Sequence, residues 1–225
     1  MNILTTIATW LVPLIIAIVF HEVAHGLVAR RLGDPTAAAM GRLTLNPLKH
    51  IDPFGTVILP MALAIAHAPV FGWAKPVPVI KERLRNPRRD MVLVALAGPG
   101  MNFLLALIGT LILGVTLAMS EGQPMGVLDF VARNAINFIL INIFLAVFNL
   151  IPLPPFDGGH VVEGLLPPSL ARQFASLGRY ALLVLIFLLL ILPMISPSAN
   201  IVARLISPIV EAIARVFLGL AGAIG

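Results

Sequence analysis

His21, Glu22 and His25 stand within one short stretch that reads His-Glu-Val-Ala-His. On a helix, histidines four positions apart share a face one turn apart, and both rings can reach a single metal ion. Glu22 then sits beside that ion as a candidate base. In the metalloprotease reading of this motif, zinc polarises a water and the glutamate accepts its proton, giving a nucleophile near neutral pH. With five His and five Glu in 225 residues, chance alone would produce the pattern roughly a few times in a thousand. The plainer alternative is two histidines bonded to nearby carbonyls beside an incidental glutamate. It leaves a carboxylate near lipid at about 2.5–3.5 kcal/mol if charged at a helix centre.

The element that must carry the motif is apolar. Ile3 to Val19 holds no charge, so the motif lies in or just below a membrane span. Hydrophobic residues make up 59% of the chain, charged residues 11%, and the mean hydropathy is +1.02, against about 25% charged in an average soluble domain. This composition predicts an all-α polytopic membrane protein embedded in a lipid bilayer. A net charge of +5 would suggest a nucleic-acid partner in a soluble chain, but here the placement of the charges excludes that reading. Ten of the fifteen Lys and Arg lie between Arg30 and Arg89, and the first 29 residues hold none. The positive-inside rule therefore puts the amino terminus outside and residues 30–90 in the cytoplasm, as expected of a multi-pass protein of the cell (inner) membrane. Residues 1–25 lack a basic leader and a small-residue cleavage pattern, and read as a retained span rather than a signal peptide. Without cysteine, neither disulfides nor thiolate ligands enter.

Further along, the pattern predicts spans at about 3–29, 91–119, 132–151, 178–195 and 201–220, all in one domain covering 1–225. Arg204, Glu211 and Arg215 mark the last as the weakest. Residues 54–68 are apolar but short, with Arg42 and Lys49 before and Lys75 and Lys81 after, which predicts a re-entrant or interfacial segment. Gly41 to Pro47 alternates like a strand, and Phe71 to Val79 is held extended by Pro76 and Pro78, so a small cytoplasmic β element is expected. In the second span, Gly98-Pro99-Gly100-Met101-Asn102 permits close helix approach, and Asn102 is a buried polar group with either an interhelical or a catalytic role.

A catalytic zinc takes three protein ligands. Asp157 is the favoured third, because the 132–151 span returns to the side of His25 and the Pro-rich turn after Asn149 unwinds the backbone there. His160, His50 and His67 are the competitors. Asn149 either donates to the oxyanion of a tetrahedral intermediate or caps its own helix end. Glu163 reads as a solvated or helix-starting acid.

Phe20-His21-Glu22-Val23-Ala24-His25, Gly98 to Asn102, and Asn149-Leu150-Ile151-Pro152-Leu153-Pro154-Pro155-Phe156-Asp157-Gly158 together resemble the three signature elements of the site-2 protease family of intramembrane zinc metalloproteases (peptidase family M50). The resemblance covers most of the chain. It implies one zinc ion on His21, His25 and Asp157, with Glu22 as general base and Asn149 as a helper near the zinc. The implied reaction is hydrolysis of peptide bonds in transmembrane-helix substrates near the cytoplasmic side. The chain resembles the minimal branch, with no room for an inserted PDZ domain and no CBS pair after Gly225. A substrate helix must unwind before attack, and an edge near Leu43–Leu45 or Trp73–Val79 could take it by strand addition. The competing readings are a membrane zinc transporter, a non-proteolytic binder of transmembrane helices, and a zinc hydrolase of lipidated chain ends. Few ionisable residues line the spans as a transport path would require.

Overall fold

The computed structural model describes residues 3–65, 72–187, 191–195 and 202–225. Helix α1 (Ile3–Arg31) is followed by short α2 (Thr36–Ala39) and α3 (Leu59–Ile65). Next come the long α4 (Pro87–Met119) and α5 (Val127–Asn149), then α6 (Asp157–Leu165), α7 (Pro168–Ser176), α8 (Ala181–Ile186), α9 (Leu192–Ile195) and α10 (Ser207–Ile224). Among the described residues, four helical stretches are long and apolar enough to cross a membrane: Ala8–Arg31, Pro87–Met119, Val127–Asn149 and Arg204–Ile224.

α4 is the hub: α1, α5, α6 and α10 all pack on it. Ala106, Leu113, Ile139, Ile143 and Ala221 form the buried seam between α4, α5 and α10. Small side chains there let backbones approach, as expected where lipid removes the hydrophobic incentive to associate. The exterior is the apolar part. Trp10, Leu11 and Val12 of α1 and Leu104, Leu107 and Leu111 of α4 are exposed, while His21, His25, Asn102 and Asn142 are buried. Such an inverted surface suits hydrocarbon rather than water.

The ends of the elements follow local rules. α1 closes with Arg30 and Arg31 in its last turn and stops at Gly33, whose φ of +116° is a conformation glycine adopts freely. Pro152, Pro154 and Pro155 prevent α5 from continuing, and α6 starts directly at Asp157. α10 runs parallel to α4, since a side chain built at Gly114 would strike Ile224 and one at Gly225 would strike Leu117.

Four expectations meet the structure here: the small β element, the segment at 54–68, and the spans at 178–195 and 201–220. No strand forms among the described residues, so the small β element is absent there. In the extended segment 72–80, four backbone donors are bonded elsewhere. Trp73 N–H goes to Gly55 O at 3.1 Å, Lys75 N–H to His50 O at 2.9 Å, and Val77 and Ile80 N–H to side-chain carboxylates, while Pro76 and Pro78 have none to give. The segment at 54–68 is helical through Pro53–Ile58 and α3, and the bonds from residues 73 and 75 to residues 55 and 50 tie its two flanks together. Its residues 66–68, including His67, lie outside the described residues. The expected 178–195 span is described only as a tight turn at Leu177–Tyr180 with α8 and α9, residues 188–190 lying outside the description. By contrast Arg204–Ile224, expected to be the weakest span, is long enough to cross.

Candidate metal centre

The helical spacing of α1 sets His21 and His25 edge to face, with ring centroids 4.6 Å apart at 84°. Their Nε2 atoms are 3.0 Å apart, and Asp157 Oδ2, from the first turn of α6, lies 3.2 Å from His21 Nε2 and 3.3 Å from His25 Nε2. Each ring is held from behind. His25 Nδ1 lies 2.7 Å from the carbonyl of Val94, which can only accept, so Nδ1 carries the proton and Nε2 presents a lone pair in the neutral ring. His21 Nδ1 lies 2.6 Å from Asn102 Oδ1, and Asn102 Nδ2 is directed to the carbonyl of Ala17 at 3.3 Å. The amide oxygen therefore faces His21, and its Nε2 is the free nitrogen as well.

With both rings neutral, two lone pairs and a carboxylate oxygen thus converge. Asp157 Oδ2 is buried and has no hydrogen-bond partner. This arrangement repels itself unless a cation sits at its centre. The dimensions suit zinc: bonds of about 2.0–2.1 Å in a tetrahedron separate ligand atoms by roughly 3.3 Å. The donor set of two imidazoles and one carboxylate is one that zinc commonly takes. Gly98 of α4 keeps the space open, because a Cβ there would lie 2.6 Å from Nε2 of His21 and closer still to Nε2 of His25.

A cavity of about 840 Å³ opens on this group and is lined by Glu22, Trp73, Val77, Phe148, Asn149 and Phe156 among others. Glu22 Oε2 accepts from Val77 N–H at 2.8 Å, which fixes one carboxylate oxygen and leaves the other available. Asn149 faces the cavity from the end of α5, with Nδ2 donating back to Leu145 O at 2.9 Å. Of the competing histidines, His160 is half exposed and sits 3.6 Å from Glu163, outside the converging group. His50 Nε2 donates to Thr44 O at 2.9 Å in the loop after α2.

At the cavity mouth Glu163 Oε1 is 2.5 Å from Lys81 Nζ. Burial pushes the Glu163 carboxyl up, but Lys81 and His160 together hold the group below the usual glutamate range. Near the end of α1, Asp34 is fully buried and accepts from the N–H and hydroxyl of Thr36 and from Ile80 N–H at 2.6 Å. Burial pushes that carboxyl up as well, and these donors together with Arg83 bring it below its ordinary value. Asp34 thereby anchors the end of the segment whose Val77 holds Glu22.

The sequence reading missed the groups behind the ligands. Gly98 and Asn102 stand out in the sequence as a close-approach element and a buried polar group with an interhelical or a catalytic role, but neither the Val94 carbonyl nor Asn142 does. Nothing in a linear pattern says which helix lies behind a histidine.

Comparison with known proteins agrees with this architecture. The sequence profile described as Peptidase family M50 matches residues 9–135 and 130–192. A Bacillus subtilis protein named "Putative zinc metalloprotease YwhC" is 36% identical over 211 residues, covering 89% of this chain and 91% of that protein. "Putative zinc metalloprotease Rip2" of Mycolicibacterium smegmatis is 32% identical over 195 residues, covering 86% and 68%. No solved structure matches. On the extent of these matches, the chain belongs to peptidase family M50.

Proposed function

We propose that the protein is a zinc-dependent intramembrane endopeptidase that hydrolyses peptide bonds of transmembrane segments. The observation that carries this reading is the close triangle of His21 Nε2, His25 Nε2 and Asp157 Oδ2, opening on a cavity among apolar helices. His25 lies six residues and His21 ten residues before the end of α1, about 9 and 15 Å inside an end marked by Arg30 and Arg31. The reading therefore puts the chemistry within the membrane on its basic, cytoplasmic side, with the amino terminus outside and the cell membrane as location.

His21, His25 and Asp157 hold the metal. Zinc, when bound, supplies Lewis acidity that polarises the scissile carbonyl and lowers the pKa of a water. Glu22 takes that water's proton on its free oxygen and returns it to the departing amide nitrogen, while the Val77 N–H keeps the other oxygen in place. Asn149 lies where it could turn its amide toward the developing oxyanion, at the expense of its bond to Leu145 O. Trp73, Phe148 and Phe156 give the cavity apolar walls suited to a membrane-derived chain.

An unwound substrate laid along residues 74–78 would donate its own N–H groups to carbonyls, since Pro76 and Pro78 offer no N–H in return. Photocrosslinking from Val77 and Thr44 to a helical substrate tests this docking. Labelling no greater than from a cytoplasmic-loop control removes it.

The function itself is tested with purified protein in detergent and a panel of labelled transmembrane helices, comparing wild type, Glu22→Gln and chelator-treated samples. Cleavage within the apolar segment, abolished by Glu22→Gln while zinc stays bound, supports the reading. Equal cleavage by Glu22→Gln refutes the role of Glu22. No cleavage by zinc-loaded protein favours a non-proteolytic binder of transmembrane helices.

A further inference from the structure

Asn142 lies on α5, which supplies none of the three converging atoms, yet it is fully buried and reaches toward the centre through one intermediary. Its Nδ2 donates to the carbonyl of Phe138 at 2.8 Å, and its Oδ1 accepts from Nδ2 of Asn102 at 2.8 Å. The first bond decides the second. A backbone carbonyl can only accept, so the nitrogen of Asn142 must face Phe138 and its oxygen must face Asn102. Asn102, itself fully buried, is thereby turned with Nδ2 toward α5 and Oδ1 toward His21 Nδ1 at 2.6 Å. If the Asn102 amide were reversed, its NH₂ would meet Nδ1 of His21. The ring proton would then belong on Nε2, inside the triangle.

We propose that Asn142 is a positioning residue for the metal centre. Through Asn102, it selects the His21 tautomer whose Nε2 lone pair faces the metal. The proposal rests on His21 being a metal ligand. The relay runs from the Phe138 carbonyl through Asn142 and Asn102 to His21 and crosses three helices, so the packing of α5 on α4 and α1 is written into the state of a ring on α1. His25 needs no such relay, because a backbone carbonyl stands directly behind it. The Ala17 carbonyl also accepts from Asn102 Nδ2, but at 3.3 Å it is the longer of the two bonds. Asn142 is therefore the stronger constraint on the orientation of Asn102. An asparagine that merely glued α5 to α4 would act on helix packing alone and leave the metal untouched.

The test is a double-mutant cycle read in zinc affinity, measured by chelator competition on the full-length protein in detergent. The variants are Asn142→Ala, Asn102→Ala and their combination, with His21→Ala as the reference for ligand loss. Loss of groups behind a ligand typically weakens a metal site about 10- to 100-fold. Asn142→Ala should fall near the low end of that range and Asn102→Ala near or above it. The pair should bind no more weakly than Asn102→Ala alone, because Asn142 acts only through Asn102. Asn142→Thr, which keeps an oxygen able to accept from Asn102, should recover most of the affinity, and it also serves if the alanine variant does not fold. The visible spectrum of the Co²⁺-loaded protein should shift in Asn142→Ala relative to wild type. Losses that multiply in the double variant, or an Asn142→Ala protein that binds zinc as wild type does, would overturn the relay. If His21→Ala itself kept full zinc affinity, the underlying ligand reading would fail instead.

Discussion

Two clusters of histidine and carboxylate face the same cavity, both using α6. In the first, Asp157 meets His21 and His25; in the second, Glu163 meets Lys81 and His160. The residue types are nearly the same, but their surroundings differ. In the first cluster each ring has its Nδ1 proton committed to an acceptor behind it, and the carboxylate oxygen has no donor. In the second, an ammonium group 2.5 Å away already supplies the cation, and the histidine is half exposed. A metal site is thus distinguished less by which residues gather than by what is bonded behind them and by the charge left unanswered at the centre.

The sharpest way to break this contrast is to delete matching residues. Asp157→Ala or His21→Ala should abolish stoichiometric zinc after dialysis, whereas His160→Ala and Glu163→Ala should retain it, as read by elemental analysis. Glu22→Gln should keep the zinc and lower the cleavage rate by about 10²–10⁴, the usual contribution of a general base. Gly98→Ala should displace the histidine rings. Overpacking of this kind costs about 1–3 kcal/mol, seen as a lower melting temperature together with weakened zinc binding. In the second cluster Lys81→Ala should cost well under about 1 kcal/mol, because the pair is partly exposed and screened.

The smallest effect expected is one of pH. The native Asp34 carboxyl sits below its ordinary value, so its contribution to stability is complete above the ordinary aspartate range and is lost as pH falls through the lowered native value. Wild type should therefore lose more stability in acid than Asp34→Asn, with the two melting curves converging at the lowest pH.

How much of this was legible beforehand depended on the range of each interaction. The courses of α1, α4 and α5 followed from long apolar runs, and the His21–His25 pairing from helical spacing alone. Asp157 needed only topology, since the Pro-rich turn had to bring it back to the side of His25. The β element was misread because alternation and prolines signal extended backbone, not who accepts its hydrogen bonds. In segment 72–80 those acceptors are the Glu22 and Asp34 side chains and loop carbonyls. Asn142 was invisible for a related reason: its partners lie 40 residues away at Asn102 and, through that residue, on α1.

The central claim is that the converging atoms of His21, His25 and Asp157 form the metal centre, and X-ray absorption at the zinc edge tests it most directly. Wild type and His160→Ala should show the same first shell, with two imidazoles and oxygen at about 2.0–2.1 Å, and Asp157→Ala should lose it. A third imidazole that disappears in His160→Ala, or a shell without imidazole, would contradict the account.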